Sequence, residues 1–218
     1  MSLDKKIVEF WKHGKKIIGA GLNYKSIVNE QNVPIPSEPL IFTKPTSSYI
    51  IEGQTIEIPK GFLVNQEVEL GVVISKKCKN IKSSEVSNYI GGYCLALDLT
   101  ATNILEEARS KGLPWAIGKG FDTATPISSF IECKAIPNPA DLHLWSKING
   151  ELRQSGNTSD MIFSIGDLIS HVSKYMTLDP YDLVITGTPK GAGPIHAGEV
   201  IEAGFGDIIK VRFPVKSA

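Results

Sequence analysis

A strand that begins with two carboxylates constrains the fold of this chain most. Glu67 and Glu69 alternate with apolar residues and lead into an apolar run that ends at Ile74. Residues two apart on a strand point to the same face, so the two carboxylates project side by side while apolar residues fill the other face. Neighbouring carboxylates repel each other and lose hydration, so the arrangement favours a compensating divalent cation.

A second apolar run supplies a third carboxylate. Residues 93–97 are apolar, and Asp98 follows them directly. Three carboxylates without a nearby His or Cys suit a hard ion, so the sequence predicts Mg²⁺, with Mn²⁺ or Ca²⁺ as alternatives, and not zinc. Spacing alone leaves a second interpretation open, in which Glu67 and Glu69 form the solvated face of an edge strand.

Composition limits the class of protein. The 218 residues include 23 Lys and Arg and 23 Asp and Glu, so the net charge is zero and neither nucleic acid nor an anionic membrane is an expected partner. No apolar run approaches the ~18 residues that span a bilayer. Three irregularly spaced cysteines indicate reduced thiols in an intracellular protein. The first residues resemble neither a signal peptide nor a typical transit peptide.

The distribution of apolar residues predicts an α+β, β-rich fold with short helices and no strand–helix alternation. Residues 1–14 are expected to form a short helix or arm, and residues 15–218 a single domain. Residues 22–40 are polar and contain three prolines, which predicts a long loop of the kind that often forms a lid.

Three short patterns give local predictions. Gly53, between strand candidates at 48–51 and 55–58, favours a tight hairpin. Asn149-Gly150 after an alternating segment is a strong hairpin turn. Ser164 and Asp167 form a capping box that should begin a helix extending to about residue 175.

Several ordered motifs resemble the fumarylacetoacetate hydrolase family. These are Glu67-Val68-Glu69-Leu70, Asp98-Leu99-Thr100, Lys119-Gly120-Phe121-Asp122 and Thr186-Gly187-Thr188-Pro189-Lys190-Gly191. Three more are similar to its small eukaryotic branch of acylpyruvases that also act on oxaloacetate: Gly112-Leu113-Pro114-Trp115, Asn149-Gly150-Glu151-Leu152-Arg153-Gln154 and Met161-Ile162-Phe163-Ser164-Ile165. The resemblance extends from about Lys15 to Phe213.

This resemblance implies a mixed β-roll of the family's C-terminal domain type, with short peripheral helices and usually a homodimer. It implies that Glu67, Glu69 and Asp98 are metal ligands. The substrate would be a small 2-oxo or 1,3-diketo acid that chelates the ion, and the metal would stabilise an enolate. A cytoplasmic or, through the resemblance, mitochondrial location is expected.

The resemblance also assigns roles near the metal. Lys119 is the expected catalytic lysine, whose ammonium would hold developing negative charge. Thr188 with Gly187 is expected to bind substrate. Lys44 is a further candidate for substrate binding, although a structural role for it is equally open. Glu30, in the predicted lid, is the second catalytic candidate.

The lid departs from the pattern of the hydrolytic members. These carry a His and a Glu, three residues apart, that activate water; here the His position is Ile27 while Glu30 is retained. Leu22 stands where arginine is common, and Leu105 where glutamine is frequent. The departures also include Thr102 and Asn103, where the family usually has Arg and Asp.

Three functions therefore remain open. The first is acylpyruvate hydrolysis or oxaloacetate decarboxylation, which is the primary prediction. The second is enolate chemistry alone, such as oxaloacetate keto–enol tautomerisation, which needs no water-activating pair. The third is a non-catalytic metal-binding homologue. Of the four histidines, His196 is the one that could approach the site in place of Ile27.

Overall fold

The computed structural model describes residues 4–218, which form sixteen strands and five α-helices. The strands are β1 Ile17–Gly21, β2 Leu40–Lys44, β3 Tyr49–Ile51, β4 Ile56–Ile58, β5 Val64–Gln66, β6 Val68–Ile74, β7 Ile90–Leu97, β8 Thr100–Ala101, β9 Thr125–Ile127, β10 Ile131–Glu132, β11 His143–Ile148, β12 Glu151–Asn157, β13 Leu183–Ile185, β14 Gly193–Ile195, β15 Val200–Phe205 and β16 Ile209–Ser217. The helices are α1 Phe10–His13, α2 Lys25–Gln31, α3 Thr102–Ser110, α4 Ala116–Gly120 and α5 Ile165–Tyr175. Short 3-10 helices lie at Lys5–Glu9, Thr46–Ser48, Ser83–Asn88, Cys133–Ala135 and Thr158–Asp160.

The strands form three sheets of eight, five and three strands. The largest has the order β2-β1-β13-β6-β7-β9-β3, with β10 also paired to β7. The five-stranded sheet runs β12-β11-β15-β16-β4, and the smallest β14-β5-β8. Most pairs are antiparallel, and three are parallel: β1 with β13, β3 with β9, and β16 with β4. The prediction of a β-rich α+β fold is confirmed.

The main core contains apolar side chains from both larger sheets. Leu70 and Leu95 come from the eight-stranded sheet, and Leu144, Ile201 and Phe213 from the five-stranded one; all five are fully buried in one cluster. All seven residues of β6 are buried, because the strand pairs on both sides, with β7 and β13. The interpretation of this segment as a solvated edge strand is therefore wrong.

The N-terminal segment packs against the large sheet. Ile7 and Phe10 are buried together with Ile17 and Val73. Residues 1–3 of the predicted arm lie outside the described residues. Within residues 4–218, no helix is both long enough and apolar enough to span a membrane.

Two local predictions are confirmed. Asn149 and Gly150 both have positive φ, 51° and 85°, and join β11 to β12. Ser164 accepts a hydrogen bond from the Asp167 amide, and the Asp167 carboxylate accepts one from the Ser164 amide, at the start of α5.

Two other predictions are wrong. The strands on either side of Gly53 do not pair, because β3 joins β9 in the large sheet while β4 joins β16 in another. Residues 22–40 are not one long loop, since α2 occupies Lys25–Gln31. The three prolines come after this helix, which ends at Asn32 in the left-handed conformation (φ 50°).

Candidate metal centre

The pairing of β6 with β7 brings three carboxylates together. Glu69 lies on β6, Glu67 directly precedes that strand, and Asp98 directly follows β7. Val68 is opposite Leu97, and the Asp98 amide donates to the Glu67 carbonyl at 2.9 Å, which fixes the register. One carboxylate oxygen from each residue lies within 4.8 Å of the other two. Glu69 is 1 % exposed and Asp98 is fully buried.

Two buried lysines lie beside these carboxylates. From β2, Lys44 donates to Asp98 Oδ1 at 2.5 Å and to the Leu99 and Ala124 carbonyls at 3.3 and 2.8 Å. From α4, Lys119 forms ion pairs with Asp98 and with Glu67, the latter at 3.2 Å. Lys44 therefore has all three donors engaged by protein groups, and its contacts favour the structural role.

The electrostatic environment differs among the three acids. Burial raises the pKa of Glu69 well above its ordinary value, and the charges of Asp98 and Glu67 raise it further. Burial also raises the pKa of Glu67, although Lys119 opposes the shift. For Asp98, burial acts to raise the pKa, but Lys119 and Lys44 outweigh it and the net shift is downward. Of the three acids, Glu69 is therefore the one whose ionised form the surroundings destabilise most.

The donor set fits a hard divalent cation. Within residues 4–218, Glu69 forms no ion pair; it accepts a hydrogen bond from the Gly187 amide at 2.6 Å. Three carboxylates facing two ammonium groups leave one negative charge uncompensated. Carboxylate oxygens are the ligands that Mg²⁺ and Mn²⁺ prefer, so Glu67, Glu69 and Asp98 could hold such an ion.

A cavity of about 200 Å³ opens above the carboxylates. Lys119 and Thr188 line it together with the three acids. Glu30 of α2 and Arg109 of α3 also line it, and both are exposed. Apolar side chains form much of the remaining wall: Leu22, Ile27, Phe42, Leu105 and Trp115.

The loop after β13 positions Glu69 and closes one side of the cavity. Gly187 has φ +93°, and a Cβ there would lie 2.9 Å from Asn23 Cβ, so this position requires glycine. The Thr188 hydroxyl donates to the Val68 carbonyl and accepts from Gln154 Nε2, both at 2.8 Å. These bonds hold the loop against β6 and aim the Gly187 amide at Glu69.

Comparison with known proteins shows the family of this chain. Residues 16–216 match the family model described as fumarylacetoacetate (FAA) hydrolase, C-terminal. The chain belongs to the fumarylacetoacetate hydrolase family. It is 43 % identical over 217 residues to the human protein named oxaloacetate tautomerase FAHD1, mitochondrial, covering 99 % of this chain and 98 % of that one. The Arabidopsis thaliana protein of the same name is 45 % identical over 211 residues, covering 96 % and 95 %.

Solved structures of the family have the same fold. A family protein from Yersinia pestis superposes with a TM-score of 0.88 at 35 % identity, covering 93 % of each chain. A fumarylpyruvate hydrolase from Pseudomonas aeruginosa, solved with Mn²⁺ and pyruvate, gives 0.87 at 27 % identity and covers 94 % of this chain and 91 % of that chain.

Four departures from the family pattern, Leu22, Ile27, Thr102 and Leu105, line the same cavity, whereas Asn103 binds the backbone of Gly61 and Leu63. Ile27 on α2 forms part of the wall, one helical turn from Glu30 at the mouth. Glu30 accepts a long hydrogen bond, 3.5 Å, from the Gly191 amide, which links α2 to the loop that holds Thr188. His196 is exposed and lines a different cavity from the carboxylates, so in this structure it does not replace the missing histidine.

Sequence reasoning missed two contributors to the cavity, Phe42 and Arg109. Phe42 lies on β2, with its ring 4.5 Å from Lys119 Nζ, and its ring centre is 6.1 Å from that of Trp115. The Arg109 guanidinium lies 4.6 Å from the Trp115 ring. The spacing of Thr102, Leu105 and Arg109 places all three on one helical face, and this was the available signal for Arg109.

Proposed function

We propose that this protein is a divalent-metal-dependent tautomerase of small 2-oxo acids, with oxaloacetate as the reference substrate. The main support is the contrast within one cavity: the acidic cluster and Lys119 are retained, while Ile27 occupies the position of the water-activating histidine. The named relatives that match along the whole chain support the same activity.

The chain's own residues supply the proton chemistry. Glu67, Glu69 and Asp98 would hold a cation that acts as a Lewis acid toward the 2-oxo group when bound. Lys119 reaches the cavity with its ammonium, and the neighbouring acids raise its pKa although burial opposes this, so it is a donor of constant charge near the developing enolate oxygen. Glu30, exposed at the mouth, is the carboxylate that would accept the proton from C3.

Hydrolysis of acylpyruvates is the second candidate, supported by the structural similarity to fumarylpyruvate hydrolase. Hydrolysis needs an additional proton acceptor in the site, because a water molecule must be deprotonated next to the substrate. Ile27 can neither accept nor donate a proton, and Leu22 and Leu105 add no polar group. Decarboxylation of oxaloacetate needs only the enolate and belongs with the tautomerase chemistry.

The decisive experiment follows the conversion of enol to keto oxaloacetate with purified protein and Mg²⁺. Controls contain Mg²⁺ alone and protein with a chelator. Lys119→Met should lower the metal-dependent rate about 100- to 1,000-fold, the usual effect of removing one oxyanion donor. Lys134→Met, on an 82 % exposed side chain, is the matched control and should leave the rate unchanged.

Fold integrity of Lys119→Met is checked by circular dichroism, since the variant removes a buried ion pair. A folded Lys119→Met protein with the wild-type rate would contradict the mechanism. A wild-type protein no faster than Mg²⁺ alone would refute the function itself.

The assembly and the compartment are further parts of this proposal. A homodimer is expected from the family and is tested by sedimentation equilibrium. The curated relatives are named mitochondrial, which supports a mitochondrial location over a cytoplasmic one. Immunodetection in purified mitochondria and cytosol tests this.

A further inference from the structure

Helix α3 presents a charged side chain to the cavity at a position different from that of the family's arginine. Thr102 begins the helix and occupies that arginine's position without a charge. Arg109 lies seven residues further along, about 10 Å of axial rise. Thr102, Leu105 and Arg109 all line the cavity, so they share the helical face that is turned toward the carboxylates.

Arg109 is held in place but not neutralised. Its guanidinium carbon lies 4.6 Å from the centre of the Trp115 ring. Within the described part of the chain, no carboxylate lies within ion-pair distance of it, whereas Lys119 pairs with both Glu67 and Asp98. A guanidinium that stacks on an aromatic ring leaves its N–H edge free for a bidentate bond to a carboxylate.

The two cations lie at opposite ends of an aromatic pair. Lys119 Nζ is 4.5 Å from the Phe42 ring, and Phe42 is followed by Trp115 and then by Arg109. Leu22 and Leu105 line the cavity and offer no hydrogen-bond donor from their side chains. Among the residues that line the cavity, Arg109 is the one cation besides Lys119, so a ligand whose 2-oxo acid end lies at the acidic cluster would meet a second positive charge at the exposed end.

We propose that Arg109 binds the distal carboxylate of a dicarboxylic 2-oxo acid and makes the site selective for dicarboxylates over monocarboxylates. This inference rests on the proposed function for the orientation of the ligand. Arg109 is a specificity residue in this proposal and takes no part in the proton transfer.

The test compares pairs of ligands that differ only in the distal carboxylate. The pairs are oxaloacetate and 2-oxobutanoate, 2-oxoglutarate and 2-oxopentanoate, and 2-oxoadipate and 2-oxohexanoate; three lengths ensure that a mismatch in reach does not hide the effect. Affinity for the Mg²⁺-loaded protein is measured by calorimetry, and exchange of the C3 protons by NMR. Oxalate, which has no distal group, reports on the metal end.

We expect the wild type to bind the dicarboxylate of at least one pair about 10- to 100-fold more tightly, the range for a charge-assisted hydrogen bond. Arg109→Gln should weaken binding of the dicarboxylates and raise their KM, so that the preference is lost. It should leave kcat and the binding of oxalate unchanged. Arg109→Lys should keep part of the preference, because lysine retains the positive charge but lacks the planar guanidinium that binds a carboxylate through two hydrogen bonds. Arg212→Gln removes an exposed arginine on β16 and should change nothing.

Equal affinity for both members of every pair in the wild type would overturn the proposal. The proposal would also be overturned if Arg109→Gln weakened the binding of both members of a pair equally, since that result indicates disturbed packing of Trp115. A protein that shows the Arg109-dependent preference in calorimetry but no C3 exchange would refute the tautomerase function and leave this inference standing.

Discussion

Replacing Glu69 with glutamine should make the protein more stable than the wild type without metal. With Mg²⁺ present, the variant should be less stable than the wild type. Glutamine keeps the shape and can still accept the hydrogen bond from the Gly187 amide, now 2.6 Å from Glu69. Its side-chain NH₂ can also donate to the neighbouring carboxylates. The substitution therefore removes a buried charge that has no ion pair in residues 4–218, without opening a cavity.

The size of the effect follows from the spacing of the carboxylates. Their oxygens lie within 4.8 Å of each other. At an effective dielectric constant of about 20, two unit charges at that separation repel by about 3 kcal/mol. Lys119 and Lys44 offset part of this, so we expect a gain of about 2 kcal/mol, or about 4–8 °C in Tm for a chain of this size. Bound Mg²⁺ at about 100 times Kd should add about 2.7 kcal/mol to the wild type alone.

The pH dependence has a definite sign. Burial and the neighbouring acids raise the folded-state pKa of Glu69 above the ordinary value of 4.5. The folded protein therefore binds the proton more tightly, and wild-type stability falls as the pH rises from about 4.5 through the folded-state pKa. Glutamine does not titrate, so the advantage of the variant should be absent below pH 4.5 and reach its full size above that pKa.

The assay is thermal unfolding of both proteins with a chelator and with Mg²⁺, across this pH range. Glu151→Gln, whose carboxylate is 76 % exposed, is the matched control and should change Tm little in either condition. A Glu69→Gln variant that is less stable than the wild type in the chelator would refute the electrostatic argument. A variant that keeps the full Mg²⁺-dependent shift would refute Glu69 as a ligand.

Three further predictions test other parts of the structure. Gly187→Ala should weaken Mg²⁺ binding in calorimetry more than Gly53→Ala, because both glycines have φ +93° but only Gly187 has atoms within 4 Å of a new Cβ; equal effects would show that backbone strain alone matters. Ser164→Ala should cost about 1 kcal/mol in urea unfolding through loss of the α5 cap, and an unchanged midpoint would contradict this. Ile27→His should raise acylpyruvate hydrolysis, up to the ~100- to 10,000-fold of a positioned base, without raising tautomerisation; an unchanged rate would mean that Leu22 and Leu105 already prevent productive binding.

The sequence by itself determined the features whose causes are local. The turn at Asn149-Gly150 depends on two residues that tolerate positive φ, and the start of α5 depends on hydrogen bonds between Ser164 and Asp167. The apolar runs of β6 and β7, each next to carboxylates, predicted the acidic cluster because side chains alternate along any strand, and the family resemblance favoured it over a solvated strand face. That β6 and β7 lie inside a sheet was not fixed by the sequence, which left an edge strand open; the pairing of β6 with both β7 and β13 decided it.

Only the tertiary structure decided what depends on contacts distant in the chain. β3 and β4 join different sheets because their partners are more than 70 and 150 residues away, and no local pattern specifies a partner. Lys44 and Lys119 are 75 positions apart, yet they bind opposite oxygens of Asp98, one behind it and one in the cavity. Arg109 faces that cavity because α3 packs there. Such placements arise from how whole elements bury their apolar faces together, and this is a property of the complete fold.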